Sequence, residues 1–191
     1  MTDEIHPLVA AAAGAGELPA WAACRPWRRA HAARVAALLD DWGARLGRPE
    51  AERVRWRAAG HLHDALKDAP ADELRALAGS DLPEPVLHGP ACAARLAAEG
   101  VGDRELLDAV AWHSTGHPEF AELGELLFLA DFLEPGRASH EDWRTGLRDR
   151  MPEERAEVLV EVLRWRINQL LERGSPVLVP SVELWNRAVG R

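Results

Sequence analysis

Few runs of β-branched residues in this chain are bounded by turn residues, and tyrosine is absent altogether, while apolar residues recur at helical spacing in one segment after another. That contrast predicts an all-α fold. Residues 27–46 are rich in Ala, Leu and Arg, with Val35, Leu38, Leu39, Trp42 and Leu46 at helical spacing, until Gly47, Arg48 and Pro49 break the pattern. Pro49 followed by Glu50 and Glu52 suits the start of a second helix, which the pattern carries through His63 and Asp64. Residues 69–85 form a connector punctuated by Pro70, Gly79, Pro83 and Pro85, with a short helix over residues 73–78. A third helix is expected from Gly89 and Pro90 to Gly100, and Asp103 is placed to cap a fourth that reaches Trp112 and His113. After a loop over residues 114–118, a fifth helix spans residues 122–133 and closes at Pro135 and Gly136. The last long helix covers residues 152–173, with Val158, Val162, Trp165 and Leu170 among its apolar positions and Gly174 ending it. No repeat or linker interrupts the chain, so the expectation is a single-domain helical bundle over residues 1–191.

A chain of 191 residues can build a sizeable core without disulfides. Its net charge of -8 argues against a surface that tracks nucleic acid, so no nucleic-acid partner is expected. A small anionic substrate stays open, because a metal and a few bases can dominate one pocket. Cys24 and Cys92 are far apart and make no CxxC pattern, and read as small buried hydrophobes of a reducing compartment. Asp3 and Glu4 stand where a secretory signal needs positive charge, and the apolar run of residues 8–13 is too short to span a bilayer. The expectation is a cytoplasmic protein with no membrane partner. Eight tryptophans are more often core than stacking platforms, although the helix around Trp165 could also bury against a second copy in a homodimer.

The chemistry-bearing feature is His63-Asp64 at the end of an apolar helix. A buried Asp is costly unless it is paired or metal-bound. On a helix Lys67 would share the face of the doublet, aiming a cation at whatever anion a metal there holds. His31 lies on the preceding helix, and Asp131 is set in the strongly apolar run around Leu126, Leu127, Phe128, Leu129, Phe132 and Leu133. By itself Asp131 is equally well read as a helix residue bonded to a backbone group or an arginine. Together the four offer two imidazoles and two carboxylates, a set suited to divalent iron, manganese, zinc or magnesium.

In that order on helices, His31, His63-Asp64 and Asp131 resemble the HD superfamily of metal-dependent phosphohydrolases, and more closely the YqeK-type family of bacterial symmetrical diadenosine tetraphosphate hydrolases. The stretches that carry the resemblance are Arg28 with His31, HDALKD from His63, LHG from Leu87, WHSTG from Trp112 and LADFLEPGR from Leu129, followed by GSPVLVPSVELWN after the last long helix. The resemblance implies an HD core over residues 28–137 with a C-terminal helical extension over residues 138–191. It implies cleavage of a dinucleoside polyphosphate in mid-chain, two ADP from the tetraphosphate. His31, His63, Asp64 and Asp131 would be the metal ligands, iron being the expected ion. The nucleotide contacts would be Arg28, Lys67, His88, His113, Ser114 and Arg137, with the backbone of Gly174, Ser175, Pro176, Val177, Leu178 and Val179. Catalytic roles would fall to Lys67, His88, His113 and Arg137.

Physical chemistry agrees with several of these assignments. Arg28 is three residues before His31 on one helix face, Arg137 follows a helix-ending Pro-Gly pair, and His88 stands just before a helix start that favours an anion. Other readings stay open. His88 and His113 are equally capping or core histidines, or ligands of a second ion, and which of them moves a proton is left undecided. The same site also fits a nucleotidase or nucleoside-triphosphate hydrolase of the wider superfamily, or a non-catalytic nucleotide-sensing protein. His61, two residues from His63, should point away, and the family more often has an apolar residue there; His6, His117 and His140 read as surface or loop residues.

Overall fold

Prolines and first-turn acids set many of the helix starts in the computed structural model, which describes residues 5–137 and 139–190. The elements are α1 (Pro7–Ala15), α2 (Pro26–Arg45), α3 (Glu50–Leu62), α4 (Ala71–Ala78), a 3-10 turn (Glu84–Val86), α5 (His88–Ala98), α6 (Arg104–Trp112), α7 (Glu122–Leu133), α8 (Glu141–Asp149), α9 (Arg155–Glu172) and α10 (Val179–Val189). Pro7, Pro26 and Pro180 lie in the first turns of α1, α2 and α10, where a missing N–H costs nothing. Asp103 caps α6 as expected, its side chain accepting from Leu106 N at 3.1 Å. The fold is all-α, with no strand among the described residues.

The centre of the bundle is α7, whose residues from Leu123 to Ala130 are all buried. It packs against α2, α3, α6, α8 and α9, which explains a sequence apolar all round rather than along one stripe. The tightest approach is between α2 and α3, where Gly60 lies on the backbone of Ala36: an added Cβ would sit 2.5 Å from Ala36 Cα. This contact brings the start of α2 and the end of α3 together, and the His31 and His63 ring centroids are 5.4 Å apart.

Two sequence expectations change here. The helix carrying the His-Asp doublet stops at Leu62, and His63 to Asp68 run on as tight turns closed by Ala65 N on Leu62 O and Lys67 N on Asp64 O. The cause is tertiary. Ala23 takes over the segment's backbone, its N donating to Ala65 O at 2.8 Å and its carbonyl accepting from Asp68 N at 3.0 Å. Three helices were also not expected from the sequence. α1 (PLVAAAAGA) has no polar face, α8 (EDWRTGLRD) is short and highly charged, and α10 begins inside a Pro-containing segment. No helix among the described residues is long and apolar enough to cross a membrane. Cys92 is fully buried with its thiol on Leu62 O, whereas Cys24 is only partly covered; both are free.

Candidate metal centre

α2, the α3 end and α7 bring His31, His63, Asp64 and Asp131 to one place. His31 Nε2 is 3.0 Å from Asp131 Oδ1, and His63 Nε2 is 4.0 Å from the same oxygen and 3.8 Å from Asp64 Oδ2. Donor atoms of His31, His63 and Asp64 all lie within 4.8 Å of one another. A second set, Asp64, His88 and His113, meets the same criterion through the shared carboxylate. His88, the first residue of α5, and His113, just past α6, place their Nε2 atoms 3.0 Å apart and 3.1 and 3.5 Å from Asp64 Oδ1. His113 is also the C-cap residue of α6, so the helix end and the cluster share it.

Three of the imidazoles are fixed through Nδ1. His63 Nδ1 is 2.8 Å from Gly60 O, His113 Nδ1 is 2.8 Å from Val110 O, and His31 Nδ1 is 3.1 Å from Glu134 Oε1. Each Nδ1 faces an acceptor, so when the ring is neutral its proton sits there and Nε2 is left toward the cluster with a free lone pair. His63 Nε2 is buried and has no hydrogen-bond partner, which is costly for a neutral imidazole unless something else takes the lone pair. The donor set, its burial and this orphaned nitrogen fit a divalent metal ion.

Electrostatics agree. Burial works against ionising Asp64, but His63, His113 and His88 outweigh it and hold the carboxyl well below its usual range. The same contest at Asp131 is won by His31 and Arg137. Burial pushes His63 down to about 4 and His88 to about 4, so both are neutral near pH 7. His31 goes the other way. Burial would lower it, yet hydrogen bonds to Asp131 and Glu134 raise it to about 9 when no metal competes for Nε2.

The expected cations are present, each already held. Lys67 Nζ is 3.1 Å from His88 Nε2 and 3.3 Å from Pro85 O, and burial lowers its pKa. Arg28 Nε pairs with Asp68 at 3.0 Å. Arg137 grips Asp131 twice, Nη2 on Oδ1 at 2.6 Å and Nε on the backbone O at 2.8 Å. Ser114 Oγ lies 3.1 Å from His113 Nε2 and 3.3 Å from His88 Nε2. Beside Ser114 opens a cavity of about 420 Å³ walled by α9, the start of α10 and α7. Ser175, Pro176 and Leu178 line it, but Val177 turns to a separate surface groove with Trp185, and Val179 is exposed. A cavity of about 780 Å³ between α1 and the α5–α6 turn contains none of the candidate site residues. His61 turns away toward Gly16, His6 caps α1, His117 stacks on Trp112 and His140 meets Trp165 edge-on.

Sequence reasoning missed two residues of this region. Glu134, nearly inaccessible to solvent, reaches His31 and is braced by Arg34 and by Gly136 N at 2.7 Å. In the sequence it enters only as a member of the LADFLEPGR stretch, although its place three residues after Asp131 is a usable signal. Arg166 of α9 also enters the cavity wall.

The HD domain family model matches residues 28–136 of the chain. A symmetrical bis(5'-nucleosyl)-tetraphosphatase of Staphylococcus aureus is 38% identical over 88 residues, covering 41% of this chain and 45% of that protein. The Bacillus subtilis protein of the same name is 31% identical over 97 residues, covering 46% and 52%. The matches thus span about half the length of these curated relatives. A crystal structure of a predicted HD superfamily hydrolase involved in NAD metabolism from Clostridium acetobutylicum superposes with a TM-score of 0.77 at 24% identity, over 87% of this chain and 90% of that one. The His and Asp donors all fall within the matched segment, and this chain belongs to the HD domain family.

Proposed function

We propose that the protein hydrolyses dinucleoside tetraphosphates symmetrically, converting diadenosine tetraphosphate and water into two ADP. The observation that carries this reading is the continuity between the His-Asp cluster and the cavity beside it through Ser114, which touches His88 and His113 and also lines the cavity. Half of a symmetrical substrate can place its nucleoside in the cavity and its phosphates at the cluster. The relatives named symmetrical tetraphosphatase support the same chemistry. His31, His63, Asp64 and Asp131 would hold the ion, which by family resemblance is iron. Residues 138–191 would complete the one HD-type unit, with α9 and the start of α10 walling the nucleoside cavity.

A divalent ion held there supplies Lewis acidity toward a phosphoryl oxygen and toward water. Lys67, Arg28 and Arg137 neutralise charge on the phosphate chain as the scissile P–O bond lengthens. Lys67 Nζ and His88 Nε2 are 3.1 Å apart, so the pair would share a proton placed to assist the departing ADP oxygen. His113, fixed by Val110 O, and Ser114 align the chain between cluster and cavity.

The test is hydrolysis of diadenosine tetraphosphate by iron-loaded protein in oxygen-18 water. ADP alone should form early, with one label per two ADP on a β-phosphate. ATP with AMP as the first pair rejects symmetrical cleavage; free phosphate released from nucleoside triphosphates, with the dinucleotide untouched, supports the nucleotidase alternative instead.

A further inference from the structure

The cavity beside the cluster is mostly apolar, with Phe128, Leu163, Trp165 and Leu178 among its walls, as suits a nucleoside. Its polar lining includes Ser114, Thr115 and two guanidiniums, those of Arg166 and Arg173, and Arg166 is the one bonded to Ser114. Arg166 comes from the middle of α9 and lies over the Phe128 ring, its Cζ 4.7 Å from the centroid. Its Nη2 donates to Ser114 O at 2.5 Å, and this is the one hydrogen bond it makes among the described residues. No carboxylate among them pairs with it. Several other covered arginines meet a carboxylate, Arg155 and Arg187 at Glu125 and Arg137 at Asp131, while Arg144 and Arg148 sit on Phe132 O and Leu133 O at the negative end of α7.

A half-buried guanidinium has five donors, keeps its charge at any ordinary pH and is costly to desolvate without an anion. Here the wall that holds it opens onto a ligand-sized space. Ser114 ties that space to the metal centre, because its carbonyl accepts from Arg166 while its hydroxyl meets the Nε2 atoms of His88 and His113. Burial pushes the Arg166 pKa down while the charge of Asp131 opposes it, which places the guanidinium within electrical reach of the cluster.

We infer that Arg166 binds the phosphate adjoining the nucleoside, and so sets how many phosphates separate that nucleoside from the metal. The inference rests on the nucleotide reading given above and adds a residue to it. With the inner phosphate held at Arg166 and the next one at the cluster, the attacked phosphorus is the second from the nucleoside. The product retained in the cavity is then a nucleoside diphosphate. Arg166 thus acts as a register residue for symmetrical cleavage.

Iron-loaded wild type, Arg166→Gln and Arg166→Lys should be titrated calorimetrically with ADP and with adenosine, with iron content and melting temperature measured alongside. Gln keeps a donor for Ser114 O but loses the charge; Lys keeps the charge but loses the fork. For Arg166→Gln, ADP affinity should fall by about 10- to 100-fold, as for loss of one charged hydrogen bond, while adenosine affinity and iron content hold. For Arg166→Lys the ADP loss should be smaller, again with adenosine unchanged, and this variant carries the test if the Gln protein does not fold. In both, ATP and AMP should appear beside ADP during turnover of diadenosine tetraphosphate. Equal loss of ADP and adenosine makes Arg166 a strut of the Ser114 loop and overturns the inference. Undiminished ADP binding overturns it while leaving the nucleotide reading intact, whereas wild-type protein that binds no ADP removes both.

Discussion

Glu134 Oε1 lies 3.1 Å from Nδ1 of His31, so a carboxylate outside the donor cluster fixes the tautomer and direction of an imidazole inside it. Arg34 and the Gly136 amide hold that carboxylate in turn, and burial, which alone would raise its pKa, is overcome so that it stays ionised to about 2. Such partners raise ligand basicity and are worth roughly 10- to 100-fold in metal affinity. Glu134→Gln should therefore lower metal affinity by about an order of magnitude while leaving the helix content unchanged, as read by chelator competition and circular dichroism. Retention of wild-type affinity would show that the His31 ring is oriented by packing alone.

The same contact makes the metal-free protein sensitive to alkali. His31 has a folded-state pKa of about 9, above the value near 6.5 of an unfolded histidine. Its extra stabilisation is fully present below about pH 6.5 and is lost as pH rises toward 9, because only the folded form keeps the proton in that window. On the order of 3 kcal/mol is at stake. Chelator-treated protein should melt at progressively lower temperature across that range, and metal affinity should rise with pH as the ion displaces the proton. A flat melting profile with pH-independent affinity contradicts this account of His31.

Direct removal of a donor is harsher. His63→Ala or Asp64→Ala should abolish both metal retention and hydrolysis, since Asp64 serves both donor sets and His63 supplies the orphaned buried nitrogen. Stoichiometric metal by elemental analysis together with near-normal turnover in either variant makes the doublet structural.

The helices that build the cluster were legible because each signals itself locally: a Pro or a first-turn acid opens it, and apolar residues mark its buried face. His31, the His63-Asp64 doublet and Asp131 stood out because buried carboxylates and imidazoles need a reason. What the sequence hid were long-range effects. The turn at His63 depends on Ala23 capturing the backbone of Ala65 and Asp68, a contact with no local signature. Arg166 resembles any other arginine of α9 until the fold turns it toward Ser114 rather than toward a carboxylate. The stretch from Gly174 to Val179 was read as one nucleotide-facing backbone, but its extended course sends Val177 away from the cavity that Pro176 and Leu178 line.

Lys67 and Arg137 looked alike in sequence, as two cations near one metal, and the structure separates them. Lys67 touches His88 and no carboxylate among the described residues, so Lys67→Ala should leave metal content intact and lower kcat/KM by one to two orders of magnitude, the usual cost of about 2–4 kcal/mol for one charge-stabilising contact. Arg137 pairs with Asp131, so Arg137→Ala should lower metal affinity as well as turnover. Elemental analysis beside steady-state kinetics distinguishes the two; identical metal retention in both variants sinks the distinction.

Gly89, next to His88, is tested by a single methyl group. A Cβ at this position would lie 2.5 Å from Ala111 O and 2.9 Å from Val110 O, both backbone atoms of α6 that cannot swing aside. Gly89→Ala must therefore push the start of α5 away from the end of α6, and those two ends carry His88 and His113 with Nε2 atoms 3.0 Å apart. Overpacking of this kind costs about 1–3 kcal/mol. The displacement should also weaken the contacts of both histidines with Asp64 while leaving His31, His63 and Asp131 in place. The expected result is a lower melting temperature and reduced turnover with near-normal tight metal binding. Wild-type stability and kcat in this variant would mean that α5 shifts along α6 freely, and that the spacing of His88 and His113 does not limit the reaction.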